Sequence, residues 1–301
     1  MPKKKSAVDG TIVNRHKDLR DFLDRVEGMG ELRQLDGVDW NLEMGALAEM
    51  VCHESREGKS PALLFDEIPG HPKGFRVLSG ATNSSLRLAY ALGFPEPSGP
   101  TDVVKAFRDR MRTEFELIPP VEIEHGPVFE NIDRDDEVDL YKFPIPFIHE
   151  FDGGRYIGTD DLVIIRDPES DWVNSATYRV MVHDKNTCGI WMSPGKHGRI
   201  IREKYFSKGK SCPVAISVGQ DPLLFMAANQ EIDYGTDELA YAGGHRGFPF
   251  EIVKSELHGL PLPAHSEIIL EGEIFGNETR PEGPFGEFMG YYASAVSDEP
   301  I

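Results

Sequence analysis

The chain after residue 120 consists largely of short β-like runs separated by turn residues, and this pattern constrains the fold more than any other feature. The runs are rich in β-branched and other apolar residues over strand-sized lengths. They are DDLVIIRD, SATYRVMVHDKNTCGIWM, CPVAISVG, FEIVKSE and SEIILEGEI. The segment 184–186, DKN, is typical of a hairpin tip, and DELAYAGGHRG at 237–247 is typical of a short helix. The series predicts a β-barrel or a β-sandwich with a few inserted helices.

The first 120 residues have a different pattern, in which predicted helices and strands alternate. Apolar residues recur at helical spacing from Asp18 until Gly28, and a second helix fits residues 41–54. Short buried strands are predicted within PALLFDEIPG and FRVLSG, followed by helices near 84–93 and 101–115. We therefore predict an α/β layer domain at 1–120, which ends in a Pro-rich connector, and a strand-rich domain at 121–301. The expected fold class of the whole chain is α+β.

Charge and composition narrow the range of functions. The chain has 32 Lys and Arg residues against 51 Asp and Glu residues, a net charge of −19, which disfavours binding to nucleic acid or to an anionic membrane. No segment approaches the roughly 18 consecutive apolar residues that a membrane span needs. The start, MPKKKSAVDG, lacks the apolar core of a secretion signal, so a cytoplasmic location is expected. Cys52, Cys188 and Cys212 are far apart and are expected to be reduced.

The motif NSATYR at 174–179 contains the first candidate functional residues. In a strand starting near Ser175, Arg179 and Thr177 would share one face, and Asn174 would lie at the turn before it. One interpretation is structural, with a turn asparagine and an arginine paired to some carboxylate. The other is functional, because a guanidinium can hold a substrate carboxylate through two parallel hydrogen bonds. The motif alone leaves both open.

The segment SPGKHGRIIREKYF at 193–206 predicts an amphipathic helix with Lys196 and His197 in its first turn. His197 is either an ordinary surface or capping residue or part of a phosphate site, since free N–H groups converge at a helix N-terminus. A metal ion on that phosphate could take Glu238 as a further ligand. Asn174, His197 and Glu238 together would suit Mn²⁺ or Mg²⁺ better than zinc.

The segment RPEGPFGE at 280–287 places two carboxylates around a Gly-Pro-Phe-Gly core. It is either a surface turn with two solvated acids or a packed loop, since Phe285 is an unlikely residue to leave exposed. In an apolar setting, Glu282 and Glu287 would titrate as a coupled pair. One would stay protonated as an acid, while the other would stay ionised beside a cation such as Arg179.

Taken together, these motifs closely resemble those of the UbiD family of reversible decarboxylases, which use prenylated flavin mononucleotide. The matching segments are DLYKFPIPFIHEFDGGRYIGT, NSATYR, SPGKH, DELAYAG and EGPFGE, in this order. The resemblance implies an N-terminal α/β domain followed by a flavin-reductase-like split β-barrel. We expect the family's C-terminal oligomerisation domain to be missing from this chain, which leaves open whether the chain alone is active.

The resemblance also implies roles for individual residues. Asn174, His197 and Glu238 match the ligands of a divalent metal, usually manganese, that clamps the cofactor's phosphate. Arg179 would orient the substrate carboxylate, Glu282 would hold Arg179, and Glu287 would deliver the proton that replaces CO₂. A potassium ion is expected near the flavin nucleotide. The implied cofactor-binding residues are Asn174, Ser175, Ala176, Thr177, Arg179, Lys196, His197 and Glu238.

The implied function is reversible, non-oxidative decarboxylation of an aromatic, heteroaromatic or otherwise unsaturated carboxylic acid, including aromatic acyl-CoA carboxylates, through a covalent adduct with prenylated FMN. A flavin prenyltransferase would supply the cofactor, and the protein would be a homo-oligomer. One alternative is a non-catalytic flavin- or metal-binding subunit of a larger complex. A second is a sugar hydrolase, which would need Glu282 and Glu287 about 5 to 10 Å apart across an open cleft.

Overall fold

The N-terminal part of the computed structural model, which describes residues 16–54, 60–112 and 116–301, is a small sheet with helices. Strand β1 (Leu32–Asp36) pairs in parallel with β2 (Ala62–Asp66), and β2 pairs antiparallel with β3 (Val77–Ser79). The helices are α1 (Leu19–Gly28), α2 (Glu43–Glu54), α3 (Ser85–Ala91) and α4 (Pro100–Met111). This part contains both helices and a sheet, as expected, whereas its standing as a separate α/β domain stays a prediction. Residues 113–115 of the last predicted helix lie outside the described residues.

The sequence explains why α1 begins and packs as it does. The Asp18 side chain accepts a hydrogen bond from the backbone N–H of Asp21 at 2.9 Å, which caps the helix N-terminus. Phe22, Leu23 and Val26 form the buried stripe of the helix and pack against the sheet. Burial of this stripe, rather than helix propensity, fixes α1 on the layer.

The second half of the chain consists mainly of strands, joined by three helices and short 3₁₀ turns. Its strands are β4 (Val121–Glu122), β5 (Arg155–Gly158), β6 (Asp161–Arg166), β7 (Val173–Ala176), β8 (Val180–Asp184), β9 (Thr187–Ile190), β10 (Cys212–Val218), β11 (Glu251–Lys254), β12 (Pro261–Pro263), β13 (Ile268–Ile274), β14 (Thr279–Glu282), β15 (Gly286–Glu287), β16 (Tyr291–Tyr292) and β17 (Ser297–Pro300). Its helices are α5 (His197–Ser207), α6 (Pro222–Ala228) and α7 (Glu238–Arg246). The predicted hairpin tip between β8 and β9 and the predicted helix at 237–247 are confirmed.

These strands form separate sheets. One has the order β13-β10-β6-β7, a second has the order β5-β8-β9, and a third has the order β12-β11-β4. Strand β14 pairs with β17, and β15 pairs with β16. Over the described ranges, no sheet closes into a barrel. The α+β class is confirmed, whereas the split barrel and the division at residue 120 remain predictions.

One hydrophobic core joins the two halves of the chain. Ala89 of α3 and Val103 of α4 belong to the same buried cluster as Leu162 of β6, Ala215 of β10 and Leu239 of α7. A second cluster lies on the other face of the sheet, between β6, β8, β10 and α5. In the part of the chain that the structure describes, no helix is long and apolar enough to cross a membrane.

The prediction of one continuous strand through residues 175–181 is wrong. Strand β7 ends at Ala176 and pairs with β6, whereas β8 begins at Val180 and pairs with β5 and β9. Residues 177–179 cross from one sheet to the next, so Thr177 and Arg179 do not share a strand face. The crossover places Arg179 at the point where the two sheets meet, and its carbonyl accepts a hydrogen bond from the Trp191 N–H at 3.1 Å.

Candidate active site

Arg179 and Glu282 form a two-pronged ion pair. The Arg179 Nε donates to Glu282 Oε1 at 2.8 Å, and its Nη2 donates to Oε2 at 2.7 Å. The Glu282 side chain has no exposed surface, and that of Arg179 is 10% exposed. Burial alone would lower the pKa of Arg179, but the hydrogen bonds and the charge of Glu282 outweigh it and raise this pKa. The structure therefore brings together two of the three predicted catalytic residues, which lie 103 positions apart in the sequence.

The surroundings fix the orientation of the guanidinium. It lies 4.5 Å from the centre of the Trp191 ring and 5.6 Å from that of Phe285. Nη2 also donates to the Ser294 hydroxyl at 3.2 Å. Within the described residues, Nη1 donates no hydrogen bond to the protein. The guanidinium thus has one edge held by Glu282 and a free donor on the other.

Tyr156 is a site residue that the sequence analysis missed. Its hydroxyl donates to Glu282 Oε1 at 3.1 Å, and its ring lies 4.5 Å from that of Phe285. Burial, followed by the Glu282 charge, raises the pKa of Tyr156, so this hydroxyl remains a donor. Tyr156 belongs to the segment DLYKFPIPFIHEFDGGRYIGT, which carried the family resemblance but gave no local sign of contact with residue 282.

A backbone clamp fixes the loop that carries both glutamates. The Gly286 N–H donates to Asp152 Oδ1 at 2.7 Å, and the Gly153 N–H donates to the Pro284 carbonyl at 2.8 Å. A Cβ atom on Gly286 would lie 2.4 Å from His149 Nδ1, so only glycine fits this close approach. Residues 149–156 therefore hold residues 282–287 in place.

Glu287 lies close to this pair without touching it. It is half-buried in β15, opposite Tyr291 of β16. Its charge helps to raise the pKa of Arg179, but less than the hydrogen bonds and the charge of Glu282 do. Across the described part of the chain, it makes no hydrogen bond or ion pair with Arg179 or Glu282. The coupled titration of Glu282 and Glu287 stays a prediction.

Asn174 and Glu238 meet in a second cluster, at the start of α7. Asn174 Nδ2 donates to Glu238 Oε1 at 2.7 Å, and the Ser175 N–H donates to Oε2 at 3.0 Å. All three residues are buried. Burial raises the pKa of Glu238 to about 7, although these hydrogen bonds act in the opposite direction.

His197 is the first residue of α5, a helix that packs against β7, the strand that carries Asn174 and Ser175. Its ring centre is 5.5 Å from that of Trp172 and 5.2 Å from that of Tyr234. The Tyr178 hydroxyl accepts from the Gly198 N–H at 3.0 Å, which ties the start of α5 to the 174–179 segment. Burial, followed by the charge of Lys196, lowers the pKa of His197. In the residues described, His197 makes no hydrogen bond to Asn174 or Glu238.

The remaining predicted cofactor contacts lie near the same segment. Ala176 is the last residue of β7 and pairs with Val163, and the Thr177 hydroxyl donates to the Asp161 carbonyl at 2.9 Å. Lys196 is exposed, and its Nζ lies 3.5 Å from Glu231 Oε1. Its side chain is therefore available to a ligand at the protein surface.

Two orphaned oxygens test whether this second cluster fits a metal ion. Asn174 Oδ1 and Ser175 Oγ are buried and have no hydrogen-bond partner among the described residues. A buried polar oxygen without a partner costs free energy, which a cation or a ligand donor would recover. An amide oxygen, a carboxylate and a neutral imidazole suit a hard or borderline divalent ion. Among the described residues, no group of three or more His, Cys, Asp or Glu side chains is arranged to hold a metal ion.

The comparison with known proteins identifies the family. The model of the 3-octaprenyl-4-hydroxybenzoate carboxy-lyase Rift-related domain, UbiD, matches residues 120–301, and that of the corresponding N-terminal domain matches residues 23–107. The chain belongs to the UbiD family. This confirms the family that the five motifs predicted.

Among curated UbiD relatives, pyrrole-2-carboxylic acid decarboxylase of Pseudomonas aeruginosa is 39% identical over 292 residues. The match covers 94% of this chain and 58% of that relative, so the chain spans less than two thirds of the relative's length.

Two solved UbiD-class structures are also similar. The closed form of Sedimentibacter hydroxybenzoicus vanillic acid decarboxylase has a TM-score of 0.87 at 31% identity, over 95% of this chain and 60% of that chain. An evolved dimeric form of HmfF from Pelotomaculum thermopropionicum, in complex with prFMN, has a TM-score of 0.82 at 29% identity. That match covers 95% of this chain and 63% of the HmfF chain.

Proposed function

We propose that this chain is the cofactor-binding and catalytic part of a reversible carboxy-lyase. It would use prenylated FMN to remove CO₂ from an aromatic, heteroaromatic or otherwise unsaturated carboxylic acid, or to add it. The observation that carries the proposal is the Arg179 guanidinium: Glu282 holds it by two hydrogen bonds, and Nη1 has no partner among the residues that the structure describes. A guanidinium fixed in this way presents a positive charge and a donor to a substrate carboxylate at a defined position.

Glu282 and Glu287 would have different tasks, because their surroundings differ. Glu282 is enclosed and accepts hydrogen bonds from Arg179 and Tyr156, so it orients the guanidinium and balances its charge. Glu287 is half-buried and free of such contacts in the described residues, so it is available to transfer a proton. We propose that Glu287 gives the substrate carbon the proton that takes the place of CO₂.

The second cluster would hold the phosphate end of the cofactor. Asn174, His197 and Glu238 would bind Mn²⁺ or Mg²⁺, and the residues around them would contact the flavin nucleotide with a K⁺ ion nearby. When bound, the prenylated flavin supplies the electron sink that loss of CO₂ from an unsaturated carbon requires. The protein's own residues orient the acid, exclude water and move the proton.

The related proteins support the substrate class. The names of the similar proteins cite pyrrole-2-carboxylic acid and vanillic acid, which are a heteroaromatic and an aromatic carboxylic acid. We extend this class, and not an individual acid, to the present protein. We further propose a homo-oligomer in the cytoplasm whose cofactor comes from a flavin prenyltransferase.

The experiment is to produce the protein anaerobically with a flavin prenyltransferase and to record its absorbance spectrum. A panel of aromatic and heteroaromatic acids is then tested for CO₂ release and for exchange with labelled CO₂. We expect exchange with at least one acid. Full cofactor loading without exchange for any acid would contradict the proposal.

Two variants separate this function from the alternatives. Glu287→Gln should bind the cofactor normally and lower turnover roughly 10²-fold or more, while the exposed Glu278→Gln should leave turnover unchanged. Unchanged turnover in Glu287→Gln would favour a non-catalytic subunit. A sugar hydrolase is disfavoured because Glu282 is fully enclosed and bound to Arg179, and thus is a poor general acid.

A further inference from the structure

A carboxylate of the N-terminal half, Glu49 of α2, holds a histidine that touches the loop with both catalytic glutamates. The Glu49 Oε1 lies 3.0 Å from His149 Nε2, in a hydrogen bond that spans 100 positions of the sequence. An ionised carboxylate can only accept, so Nε2 is the donor. The Glu49 side chain is 32% exposed and that of His149 is 15% exposed. The bond therefore fixes the rotation of a largely buried imidazole.

The opposite edge of the His149 ring lies against the catalytic loop. Nδ1 is so close to Gly286 that a Cβ atom on this glycine would lie 2.4 Å from it. The ring also meets Phe285 edge to face, with 6.0 Å between the ring centres. Nδ1 lies 3.4 Å from Oδ2 of Asp152, whose Oδ1 accepts from the Gly286 N–H. Rotation of the imidazole would therefore disturb the residue that directly precedes Glu287.

Helix α2 is itself fixed to the segment that leads into His149. The Leu42 N–H donates to the Phe147 carbonyl at 2.9 Å, and the Phe147 N–H donates to the Trp40 carbonyl at 3.0 Å. A Cβ atom on Gly45 would lie 2.1 Å from the Ile148 carbonyl oxygen, so helix and segment are in backbone contact. Exposed ion pairs contribute little because two mobile side chains must be ordered. Here both partners start from backbones that already pack together.

Among the described residues, the Glu49 side chain makes no hydrogen bond or ion pair with any of the three proposed catalytic residues. We propose that Glu49 is a positioning residue for Glu287. Through His149 it holds the loop at Gly286, and so keeps the next side chain at the place from which it transfers its proton. The proton transfer rests on the proposed function, whereas the link from Glu49 to the loop does not.

The link is tested by hydrogen exchange, measured by mass spectrometry over residues 285–292 of the chain without flavin. Glu49→Ala should make this loop exchange about tenfold faster, because a freed imidazole lets it open more easily. Glu49→Gln should restore most of the protection, since its amide oxygen can still accept from His149 Nε2. Glu27→Ala, an exposed glutamate in the last turn of α1, should leave the exchange unchanged.

Turnover tests the positioning role, with the cofactor-loaded chain and an acid on which it acts. Glu49→Ala should lower kcat roughly tenfold and leave KM within about twofold, because Glu282 still holds Arg179. In a Glu287→Gln background, Glu49→Ala should lower kcat no further, since the group that it positions is already gone. A purely structural role would lower kcat by the same factor in both backgrounds.

A second variant covers the case in which Glu49→Ala does not fold. His149→Phe keeps an aromatic ring without the donor and should reproduce the faster exchange of the loop. Circular dichroism checks that each variant is folded. Unchanged exchange in the folded variants, or an equal fall in kcat in the Glu287→Gln background, would overturn the proposal. If the unaltered chain turned over no acid, the proposed function would fail, and exchange would still decide whether Glu49 holds the loop.

Discussion

The two halves of the proposed active site differ in how completely the protein satisfies them. Glu282 accepts hydrogen bonds from Arg179 and Tyr156, and Arg179 also donates to Ser294, so that only its Nη1 has no partner among the described residues. Around Glu238, by contrast, two buried oxygens have no partner in the described part of the chain, and burial raises the pKa of the carboxyl to about 7. The first region is assembled before any ligand arrives, whereas the second would gain stability from the cation that we propose it binds.

This difference matches the tasks proposed for the two regions. A group that orients a substrate must be held rigidly before the substrate binds. If its motion had to be frozen during the reaction, the entropy lost would weaken the stabilisation of the transition state. A group that binds a cation must keep unsatisfied oxygens for it. A substitution of Glu282 should therefore lower the stability whether or not metal is present. A substitution of Glu238 should instead remove the stability that bound metal adds.

The largest expected effect is on the satisfied region. Glu282→Gln removes the partner of a largely buried guanidinium and should lower the free energy of unfolding by about 4 kcal/mol. Urea unfolding followed by circular dichroism measures this loss. Glu287→Gln is the matched control, and we expect it to change stability by less than about 0.5 kcal/mol. Equal losses of unfolding free energy in the two variants would contradict the claim that Glu282 is the stabilising partner of Arg179.

The next effect concerns metal binding to the unsatisfied region. Mn²⁺ at about 100 times its dissociation constant should stabilise the chain by about 2.7 kcal/mol, since it binds only the folded state. Glu238→Gln should abolish most of this gain, and Glu278→Gln should retain it. Thermal unfolding with and without Mn²⁺ provides the measurement. Full stabilisation of the Glu238→Gln variant would place the metal elsewhere.

Without metal, Glu238 should make stability depend on pH. Its folded-state pKa of about 7 lies above the ordinary value of 4.5, so the folded state binds more protons between these values. The stability that this group contributes is present below pH 4.5 and is lost as the pH rises through 7. Relative to Glu238→Gln, the unaltered chain should lose about 2 kcal/mol between pH 5 and pH 8. Parallel stability curves for the two proteins would contradict the raised pKa.

The smallest effect concerns Tyr156. Tyr156→Phe removes one donor from Glu282 but keeps the ring, so the free energy of unfolding should fall by about 1 kcal/mol. Tyr291→Phe, at an exposed position, should have no measurable effect. If Tyr156 positions Glu282, turnover should also fall while cofactor binding is retained. A stability change with unaltered turnover would reduce Tyr156 to a packing role.

The sequence predicts those features that depend on neighbouring residues. Helix α1 follows from a capping Asp18 and an apolar stripe, and the hairpin tip follows from DKN at 184–186. The crossover at 177–179 is missed because Ala176, Tyr178 and Val180 continue a two-residue alternation while the chain changes sheets. The clamp is missed because Asp152 and Gly286 are 134 positions apart and no local pattern relates them. The pairing of Arg179 with Glu282 was expected only from the resemblance to the family. The motifs by themselves did not say which carboxylate Arg179 contacts.

Anomalous X-ray diffraction from crystals grown with Mn²⁺ and prenylated FMN tests the central claim most directly. We predict a manganese peak in contact with Asn174 Oδ1, the His197 imidazole and the Glu238 carboxylate, with the flavin phosphate on the metal. The free edge of Arg179 should face the flavin ring, with Glu282 still bound behind it. A manganese peak at other residues, or a flavin ring remote from Arg179, would contradict the account.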